Sequence, residues 1–320
     1  MKLEVLHVPD CPNLPPLLDR LAEITDVPVT TRLVQSDAEA AEHGMAGSPT
    51  LLIDGVDPFA GEEPCECGVA CRLFRDEHGR LVPIPTAEQL RDAIIRTATT
   101  GGVAALTGWR QACRVSLDPV ERAVHQAILA AFATTSWPPQ LAELSGLVSD
   151  GRGIEAVLAG LHRRDVIRLD AEGRIAVAYP FSAAPTGHRV RIGGPDGVTV
   201  SAMCAVDALG ISAMLGGRDT VIESVDAATG APITITTCSG RTSWQPADAV
   251  VFLSTAAGDG PSADCCCRDL NFFTDRTSAQ AWSAAHPQVR GDIVDQATAE
   301  LLGADLFGQL LTPSIPEEGS

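Results

Sequence analysis

Apolar positions along residues 1–97 change repeatedly between two spacings, and each change marks a predicted element. Runs rich in β-branched residues predict strands, whereas apolar positions three and four residues apart predict helices. In order, the predicted elements are a strand over 3–8, a helix over 14–24, a strand over 27–34, a helix over 37–45, a hairpin over 51–59 and a helix over 86–97. Gly44 is placed to stop the second helix, and Asp54-Gly55 is placed to turn the hairpin. Thr86 and Gln89 have the spacing of a capping box.

This order of strands and helices, with two local features, resembles the thioredoxin-like fold. Cys11 sits where the first strand meets its helix, and Gly47-Ser48-Pro49-Thr50 sits where that fold keeps a cis-proline beside the active-site cysteine. The run Cys11-Pro12-Asn13-Leu14 lacks the second cysteine of a C-x-x-C motif, so the usual dithiol chemistry is not expected. We expect residues 1–97 to form a thioredoxin-like α/β domain. The small, glycine-containing residues 98–117 are typical of a linker.

Residues 118–180 predict three helices followed by two strands around a tight turn, an arrangement typical of a winged helix. Asp118-Pro119 forms an N-cap and first-turn pair before the first of these helices. Arg163 and Arg164 would lie on the third helix, but acidic residues of the same segment offset them. The basic footprint that DNA binding requires is therefore weak, and we expect a winged-helix-like packing unit.

Residues 181–320 predict a mixed region of strands and helices, which makes the whole chain α+β. The predicted elements are a strand running into a helix over 197–211, a hairpin whose turn is 226–231, a strand over 247–255, a cysteine-rich strand over 265–274, and helices over 279–286 and 295–311. In the cysteine-rich strand, alternation would point Cys265 and Cys267 to one side and Cys266 to the other.

Composition narrows the class of protein. The 320 residues carry a net charge of −18, which repels nucleic acid and anionic membranes. No apolar run approaches the roughly 20 residues of a membrane helix, and the first residues lack the apolar core of a signal peptide. We therefore expect a cytoplasmic protein with no membrane or nucleic-acid partner, in which the thiols stay reduced.

The ten cysteines are the main candidates for chemistry. They cluster at 65, 67 and 71 and at 265–267, with Cys11, Cys113, Cys204 and Cys238 standing alone. None of the seven histidines lies near the two clusters, and no cysteine pair has zinc-finger spacing. Sites rich in thiols and poor in imidazole favour soft ions such as Hg(II) or Cu(I).

Cys204 and Asp207 form an unusual pair, since they would share one face of a helix three residues apart. A carboxylate beside a thiol raises the pKa of both groups unless a cation binds them. Such a pair makes chemical sense at a soft-metal site where a proton must be delivered. Three adjacent cysteines at 265–267 are a redox liability in a reducing compartment, which also argues for a function.

Several separated motifs resemble the organomercurial (alkylmercury) lyases over about residues 118–312. They are Cys204-Ala205-Val206-Asp207-Ala208-Leu209, the turn Ala227-Ala228-Thr229-Gly230-Ala231-Pro232, Cys267 five residues before Phe272-Phe273, and the helix with Trp282. The resemblance implies that Cys204 and Cys267 are the essential thiols and that Asp207 handles the proton. Cys265 and Cys266 remain further candidates. A family cysteine thought to be structural falls on Asp226 here.

The resemblance also implies a mechanism and its partners. Two thiolates would bind the mercury of an organomercurial substrate, and Asp207 would take up a thiol proton and deliver one to the leaving carbon. A hydrocarbon would leave, and Hg(II) would stay on Cys204 and Cys267 close to Asp207. No cofactor would be required beyond an external thiol reductant. The Hg(II) would then pass to a thiol or to an acceptor of the mercuric-reductase type.

Alternatives remain open for the first domain and for the whole chain. The first domain could accept Hg(II) from the catalytic core or keep the cysteines of that core reduced, through Cys11, Cys65, Cys67 and Cys71. It could also be an accessory domain without a role in the chemistry. The chain as a whole could be a thiol-based chaperone for Hg(II) or Cu(I) without turnover. A metal-responsive transcription factor is disfavoured by the −18 charge. Asp207 favours the enzyme, because a passive chaperone needs no proton donor.

Overall fold

The computed structural model describes residues 1–25, 27–60, 67–76, 79–98, 116–254, 262–265 and 267–311, with backbone alone at 98, 264 and 265. The chain divides into two compact units, Met1–Thr100 and Gly101–Ser320. Residues 99–115 of the predicted linker, together with Cys65, Cys113 and Cys266, lie outside the described residues. None of the described helices is both long enough and apolar enough to cross a membrane.

The first unit is built on a three-stranded sheet in the order β2-β1-β4. Its strands are β1 (Leu3–His7), β2 (Val29–Leu33), β3 (Ala46–Ser48), β4 (Thr50–Ile53), β5 (Gly68–Cys71), β6 (Phe74–Arg75) and β7 (Leu81–Val82). Its helices are α1 (Leu14–Ile24), α2 (Asp37–His43) and α3 (Ala87–Ala98). β1 runs parallel to β2 and antiparallel to β4, while β3 pairs with β5 and β6 pairs with β7.

Local signals account for the helices of this unit. Prolines occupy the first turn of α1, where their missing N–H groups cost nothing. Gly44 ends α2 in the left-handed conformation, with φ of 68°. The capping box before α3 is confirmed, because the Thr86 and Gln89 side chains each accept the other residue's backbone N–H.

The predicted hairpin is only partly formed. Asp54 and Gly55 both have positive φ, 51° and 85°, as a two-residue hairpin turn requires. The return run contributes a single bridge, between Ile53 and Val56, and the described residues 57–60 form no strand. Pro58 cannot donate to a ladder, and Asp57 turns instead to an ion pair with Arg72 at 2.6 Å.

The second unit contains an antiparallel eight-stranded sheet in the order β15-β14-β13-β11-β12-β10-β9-β8. Its strands are β8 (Ile167–Leu169), β9 (Ile175–Ala178), β10 (Phe181–Ser182), β11 (His188–Ile192), β12 (Val198–Ala202), β13 (Thr220–Val225), β14 (Pro232–Cys238) and β15 (Arg241–Gln245). A second sheet, in the order β17-β16-β18, comprises β16 (Val250–Ser254), β17 (Asn271–Phe273) and β18 (Gly291–Val294). The two strands predicted around a tight turn, β8 and β9, therefore belong to the same sheet as β12.

The described helices of this unit pack against its sheets and against one another. They are α4 (Pro119–Thr135), α5 (Leu141–Ser145), α6 (Ile154–Arg163), α7 (Ala205–Met214), α8 (Ser262–Cys265), α9 (Arg276–Ala285) and α10 (Gln296–Phe307), with a 3-10 helix at Cys267–Asp269. Asp118 caps α4 in a complete capping box with Glu121. The mixture of helices and sheets confirms the α+β class.

Two glycines bring α7 and α10 into close contact. A Cβ atom at Gly210 would lie 2.7 Å from the carbonyl oxygen of Gly303, and one at Gly303 would lie 2.8 Å from the backbone nitrogen of Gly210. Almost every residue of α7 is buried, so this helix lies inside the unit. The close packing fixes α7, whose first turn carries Asp207.

The prediction of a strand over 265–274 was wrong at its N-terminal end. Residue 265 ends α8, Cys267 begins a 3-10 helix closed by the Leu270 N–H on the Cys267 carbonyl, and only Asn271–Phe273 is a strand. Backbone N–H groups at the start of α8 find acceptors on distant side chains, Asp165 and Tyr179, which permits a helix there. The backbone at residues 265 and 267 is therefore helical, and these residues do not share one strand.

Candidate active site

Cys204 occupies the N-cap of α7, between the end of β12 and the first helical residue. Its extended backbone, with φ of −150°, directs Sγ toward the first turn, where it accepts the Asp207 N–H at 3.4 Å. The sequence predicted both residues on one helix face. Cys204 instead precedes the helix, and capping geometry brings it to Asp207. The thiol is 1% exposed.

Cys267 reaches the same point from the 3-10 helix. Its Sγ lies 3.9 Å from Oδ2 of Asp207, and the candidate ligand atoms of Cys204, Asp207 and Cys267 all lie within 4.8 Å of one another. All three side chains are buried. In the described part of the chain, this is the one group of three acidic, cysteine or histidine side chains close enough to hold a metal ion.

Main-chain hydrogen bonds hold the two cysteine-bearing segments together. The Ala205 N–H donates to the Leu270 carbonyl at 3.0 Å, which links the start of α7 to the end of the 3-10 helix. On the other side, the Met203 N–H donates to the Pro180 carbonyl at 3.1 Å. Backbone contacts within a few residues of each thiol therefore contribute to its position.

Burial controls the protonation of the group. Desolvation raises the pKa of the Asp207 carboxyl to about 8, against the opposing effect of hydrogen bonds with Cys204 and Cys267. Burial also raises the pKa of the Cys204 thiol, and the charge of Asp207 adds to that shift. At neutral pH the resting site therefore holds a protonated carboxyl beside the protonated Cys204 thiol. Soft ligands and an acid are thus in contact at one point.

Comparisons with known proteins identify the family of the chain. The family model for alkylmercury lyase matches residues 181–308. An alkylmercury lyase of Staphylococcus epidermidis is 32% identical over 171 residues, which cover 53% of this chain and 76% of that protein. The chain belongs to the alkylmercury lyase family. A second relative, the alkylmercury lyase of Streptomyces lividans, is 31% identical over 148 residues, covering 46% of this chain and 66% of that protein.

The fold of the family is also seen in a solved structure. A crystal structure of the mercury-bound form of MerB2 superposes with a TM-score of 0.55 at 22% identity, covering 65% of this chain and all of that one. The family model begins at residue 181, so both cysteines and Asp207 lie inside the matched part. Asp165 and Tyr179, which accept the N–H groups of α8, lie before it.

Asp226 in this alkylmercury lyase family member has a structural role of its own. Its Oδ1 accepts the N–H groups of Ala228 and Thr229, and its Oδ2 accepts both the N–H and the hydroxyl of Thr274, all at 2.8–2.9 Å. Burial by itself would raise the pKa of Asp226, but these hydrogen bonds outweigh it and lower the pKa. The carboxylate therefore ties the β13–β14 turn to the residue that follows β17.

The accessory thiols predicted for the first unit do not form a second cluster among the described side chains. Cys11 is buried three residues before α1, Cys67 is half-buried, and Cys71 is exposed at the end of β5. Cys65, Cys266 and the side chain of Cys265 lie outside the description. The six described cysteines form no disulfide.

Sequence reasoning missed Asp165 and Tyr179. The Tyr179 hydroxyl accepts the Ala263 N–H at 2.8 Å and donates to Oδ1 of Asp165 at 3.3 Å, and Oδ2 of Asp165 accepts the Ser262 N–H at 2.7 Å. The available signal was that Tyr179 is the only tyrosine of the chain. A hydrogen-bond partner 84 residues away cannot be read from such a signal.

Proposed function

We propose that this protein cleaves the carbon–mercury bond of organomercurials by protonolysis, with Cys204 and Cys267 as mercury ligands and Asp207 as the proton carrier. The observation that carries the proposal is the convergence of two buried thiols and one buried carboxyl within 4.8 Å. Membership of the alkylmercury lyase family supports the reaction, and the geometry supports the three residues. The consequence for the host is organomercurial detoxification and mercury resistance.

The reaction balances with these three groups alone. The substrate R–Hg–X exchanges X⁻ for the sulfur of one cysteine, and the second sulfur then binds the same mercury. Asp207 delivers its proton to the carbon as the carbon–mercury bond breaks, and R–H leaves. One thiol proton leaves with X⁻, and Asp207 passes the other to solvent, so that its carboxylate is ionised beside the bound Hg(II). Hg(II) remains as the product, bound to two sulfurs beside Asp207.

Two properties of the site support each step. Soft thiolates are the ligands that Hg(II) prefers, and binding makes the metal-bound carbon easier to protonate. A carboxyl with a pKa of about 8 holds its proton at neutral pH until the carbon accepts it. The protein itself thus supplies both the ligands and the acid. An external thiol to carry the substrate and to keep Cys204 and Cys267 reduced completes the proposal, with no other cofactor.

The decisive experiment is hydrocarbon release from phenylmercury or methylmercury in excess thiol. We expect benzene or methane from the wild type, and a loss of roughly 100-fold or more from Cys204→Ser, Cys267→Ser and Asp207→Ala. Cys238→Ser is the matched control, because Cys238 is an exposed thiol outside the three-residue group. Turnover that survives the loss of Cys204 would contradict the mechanism.

The same experiment tests the second candidate, a soft-metal chaperone for Hg(II) or Cu(I). The two buried thiols are compatible with that role, and Asp207 argues against it. Tight binding of phenylmercury by the wild type without release of benzene would establish the chaperone.

For the remaining regions we propose the finer folds suggested by their sequences. A thioredoxin-like fold for residues 1–97 is supported by the parallel β1–β2 pair, the antiparallel β4 and the cis peptide bond Ser48–Pro49. A winged-helix-like fold for residues 118–180 is supported by α4, α5 and α6 followed by the β8–β9 pair. Its role would be packing, with no contact to DNA.

We also propose that the first unit takes part in handing Hg(II) to a thiol or to an acceptor of the mercuric-reductase type. The thiols Cys11, Cys65, Cys67 and Cys71 support this role. A variant with all four changed to serine should release Hg(II) to a thiol acceptor more slowly than the wild type, with unchanged hydrocarbon release. Identical release rates would instead establish an accessory unit without a role in transfer.

A further inference from the structure

We propose that Tyr179 and Asp165 are positioning residues that clamp the segment carrying Cys267 against Cys204 and Asp207. The proposal rests on the proposed function of those three residues and gives the region before residue 181 a part in the reaction. The clamp is defined as the two side chains of Asp165 and Tyr179 and the two backbone N–H groups that they accept.

The contacts of the clamp converge on the start of α8. Asp165 accepts the Ser262 N–H at 2.7 Å, and Tyr179 accepts the Ala263 N–H at 2.8 Å. The first N–H groups of a helix have no partner within the helix, so two of them are satisfied here by side chains from α6's end and from the end of β9. The Tyr179 hydroxyl also donates to Asp165 at 3.3 Å, which joins the two acceptors into one unit.

The backbone conformation of Asp165 would favour glycine, which indicates that the aspartate side chain is there to make this contact. Asp165 ends α6 with φ of 56°, in the left-handed region where glycine is favoured. The Val166 N–H closes on the Leu161 carbonyl, as in the usual left-handed helix end. Glycine would make this turn without steric cost. Aspartate is less favourable in this conformation than glycine, but its carboxylate makes the hydrogen bond with the Ser262 N–H.

The clamp also lies beside the reacting groups. Tyr179 is 9% exposed. Burial and then the charge of Asp165 raise the pKa of its hydroxyl, so the hydroxyl stays protonated and keeps donating to Asp165. The next residue, Pro180, accepts the Met203 N–H immediately before Cys204. The dipeptide Tyr179-Pro180 therefore contacts both cysteine-bearing segments at once.

The consequence for catalysis is geometric. Cys267 follows α8 by two residues, and its Sγ must lie close enough to Cys204 to share one mercury ion. A displacement of about 1 Å at a reacting group can lower a rate by about 100-fold. Without the clamp, α8 would lose two of its N-terminal hydrogen bonds, and the segment that leads into Cys267 would be held less firmly on its N-terminal side.

The test uses three variants of the full chain and two measurements. Asp165→Gly removes the carboxylate and suits the left-handed backbone, Tyr179→Phe removes one hydroxyl, and Asp165→Asn keeps an acceptor oxygen. We expect the first two to lower single-turnover benzene release from bound phenylmercury about 10- to 100-fold with little change in binding, and Asp165→Asn to retain most of it. Ser239→Gly is the matched control, since Ser239 has φ of 50° in an exposed turn.

The second measurement separates positioning from general stability and from turnover. Site-resolved iodoacetamide labelling should be about tenfold faster at Cys267 in Asp165→Gly and Tyr179→Phe, with Cys204 nearly unchanged. Labelling and release equal to those of the wild type in both variants would overturn the clamp. Failure of the wild type to cleave phenylmercury would contradict the proposed function. The clamp would still be tested by the labelling rates, because labelling needs no substrate. If Asp165→Gly fails to fold, Tyr179→Phe decides it.

Discussion

The Sγ of Cys267 lies 3.9 Å from Oδ2 of Asp207, although 60 residues of sequence separate them. The same carboxyl group belongs to the residue whose N–H donates to the Sγ of Cys204. Asp207 therefore lies between two thiols that come from different elements. Its protonation state must respond to any cation that the thiols bind, and this coupling can be measured.

The stability of the protein should depend on pH through Asp207. The folded state raises the pKa of this carboxyl from 3.8 to about 8 because it is buried. Between these values the folded chain holds a proton that the unfolded chain has released. The contribution of Asp207 to stability is therefore full below about pH 4 and is lost as pH rises toward 8, by about 1 kcal/mol per pH unit. Urea unfolding in reductant at pH 5, 6, 7 and 8 measures this slope.

Asp207→Asn is the matched variant for this prediction, because it keeps the shape of the side chain but does not titrate. Its free energy of unfolding should fall less steeply with pH, so the variant gains on the wild type at each step toward pH 8. Measurements stop at pH 8 because the Cys204 thiol, whose pKa is raised, contributes at higher pH. Parallel profiles for the two proteins would show that Asp207 is ionised in the folded state at neutral pH.

Binding of Hg(II) should release protons, and the number released should depend on whether Asp207 is present. At pH 7 Asp207 and the Cys204 thiol are protonated, and a divalent cation bound at the site displaces a proton from each. We expect the wild type to release about one proton more than Asp207→Asn. Calorimetry with one equivalent of mercuric chloride, repeated in buffers of different ionisation enthalpy, gives the number. An equal release from the two proteins would place Asp207 outside the influence of the metal.

Adding one methyl group at Gly210 should damage both stability and cleavage. The new Cβ would lie 2.7 Å from the Gly303 carbonyl oxygen, so α7 and α10 must separate. Overpacking of this kind costs about 1–3 kcal/mol. Gly146→Ala is the control, because its φ of −67° is helical and nothing lies within 4 Å of the added atom. We expect the free energy of unfolding in urea and the rate of benzene release to fall in Gly210→Ala and to stay unchanged in Gly146→Ala. Equal effects of the two changes would contradict the close packing.

Asp226→Ala should lower the free energy of unfolding by about 3 kcal/mol, because it removes four hydrogen bonds to a buried charged carboxylate. Asp226→Cys should also be destabilised, since sulfur is a weak acceptor. The carboxylate has a lowered pKa when folded, so its contribution is full above about pH 4 and is lost as pH falls below that value. The gap between wild type and Asp226→Ala should therefore shrink at pH 3 in urea unfolding. A cysteine variant as stable as the wild type would contradict this account.

Elements with local signals could be predicted from the sequence. The capping boxes at Thr86 and at Asp118 need only residues three positions apart, and both helices begin where those signals stand. β11 and β15 were not predicted. Their short, polar-rich sequences, such as Arg241–Gln245, become strands because neighbouring strands pair with them, and such pairing is not visible in a single segment.

The site divides in the same way. The spacing of Cys204 and Asp207 is local and pointed to their pairing from the sequence. The conformation of the segment that carries Cys267 was mispredicted, because its helical start depends on Asp165 and Tyr179, which are 97 and 84 residues from the N–H groups they accept. The strand-like alternation assumed for residues 265–267 carries no information about those distant partners.

The main-chain contact between Ala205 and Leu270 has a consequence for how this site can change over time. A hydrogen bond between backbone atoms does not depend on the side chains that the two residues carry. Substitutions at either position leave it intact, except for proline at 205, which has no N–H to donate. Side chains around the mercury can therefore change to suit different organic groups, while this link between the two cysteine-bearing segments is kept.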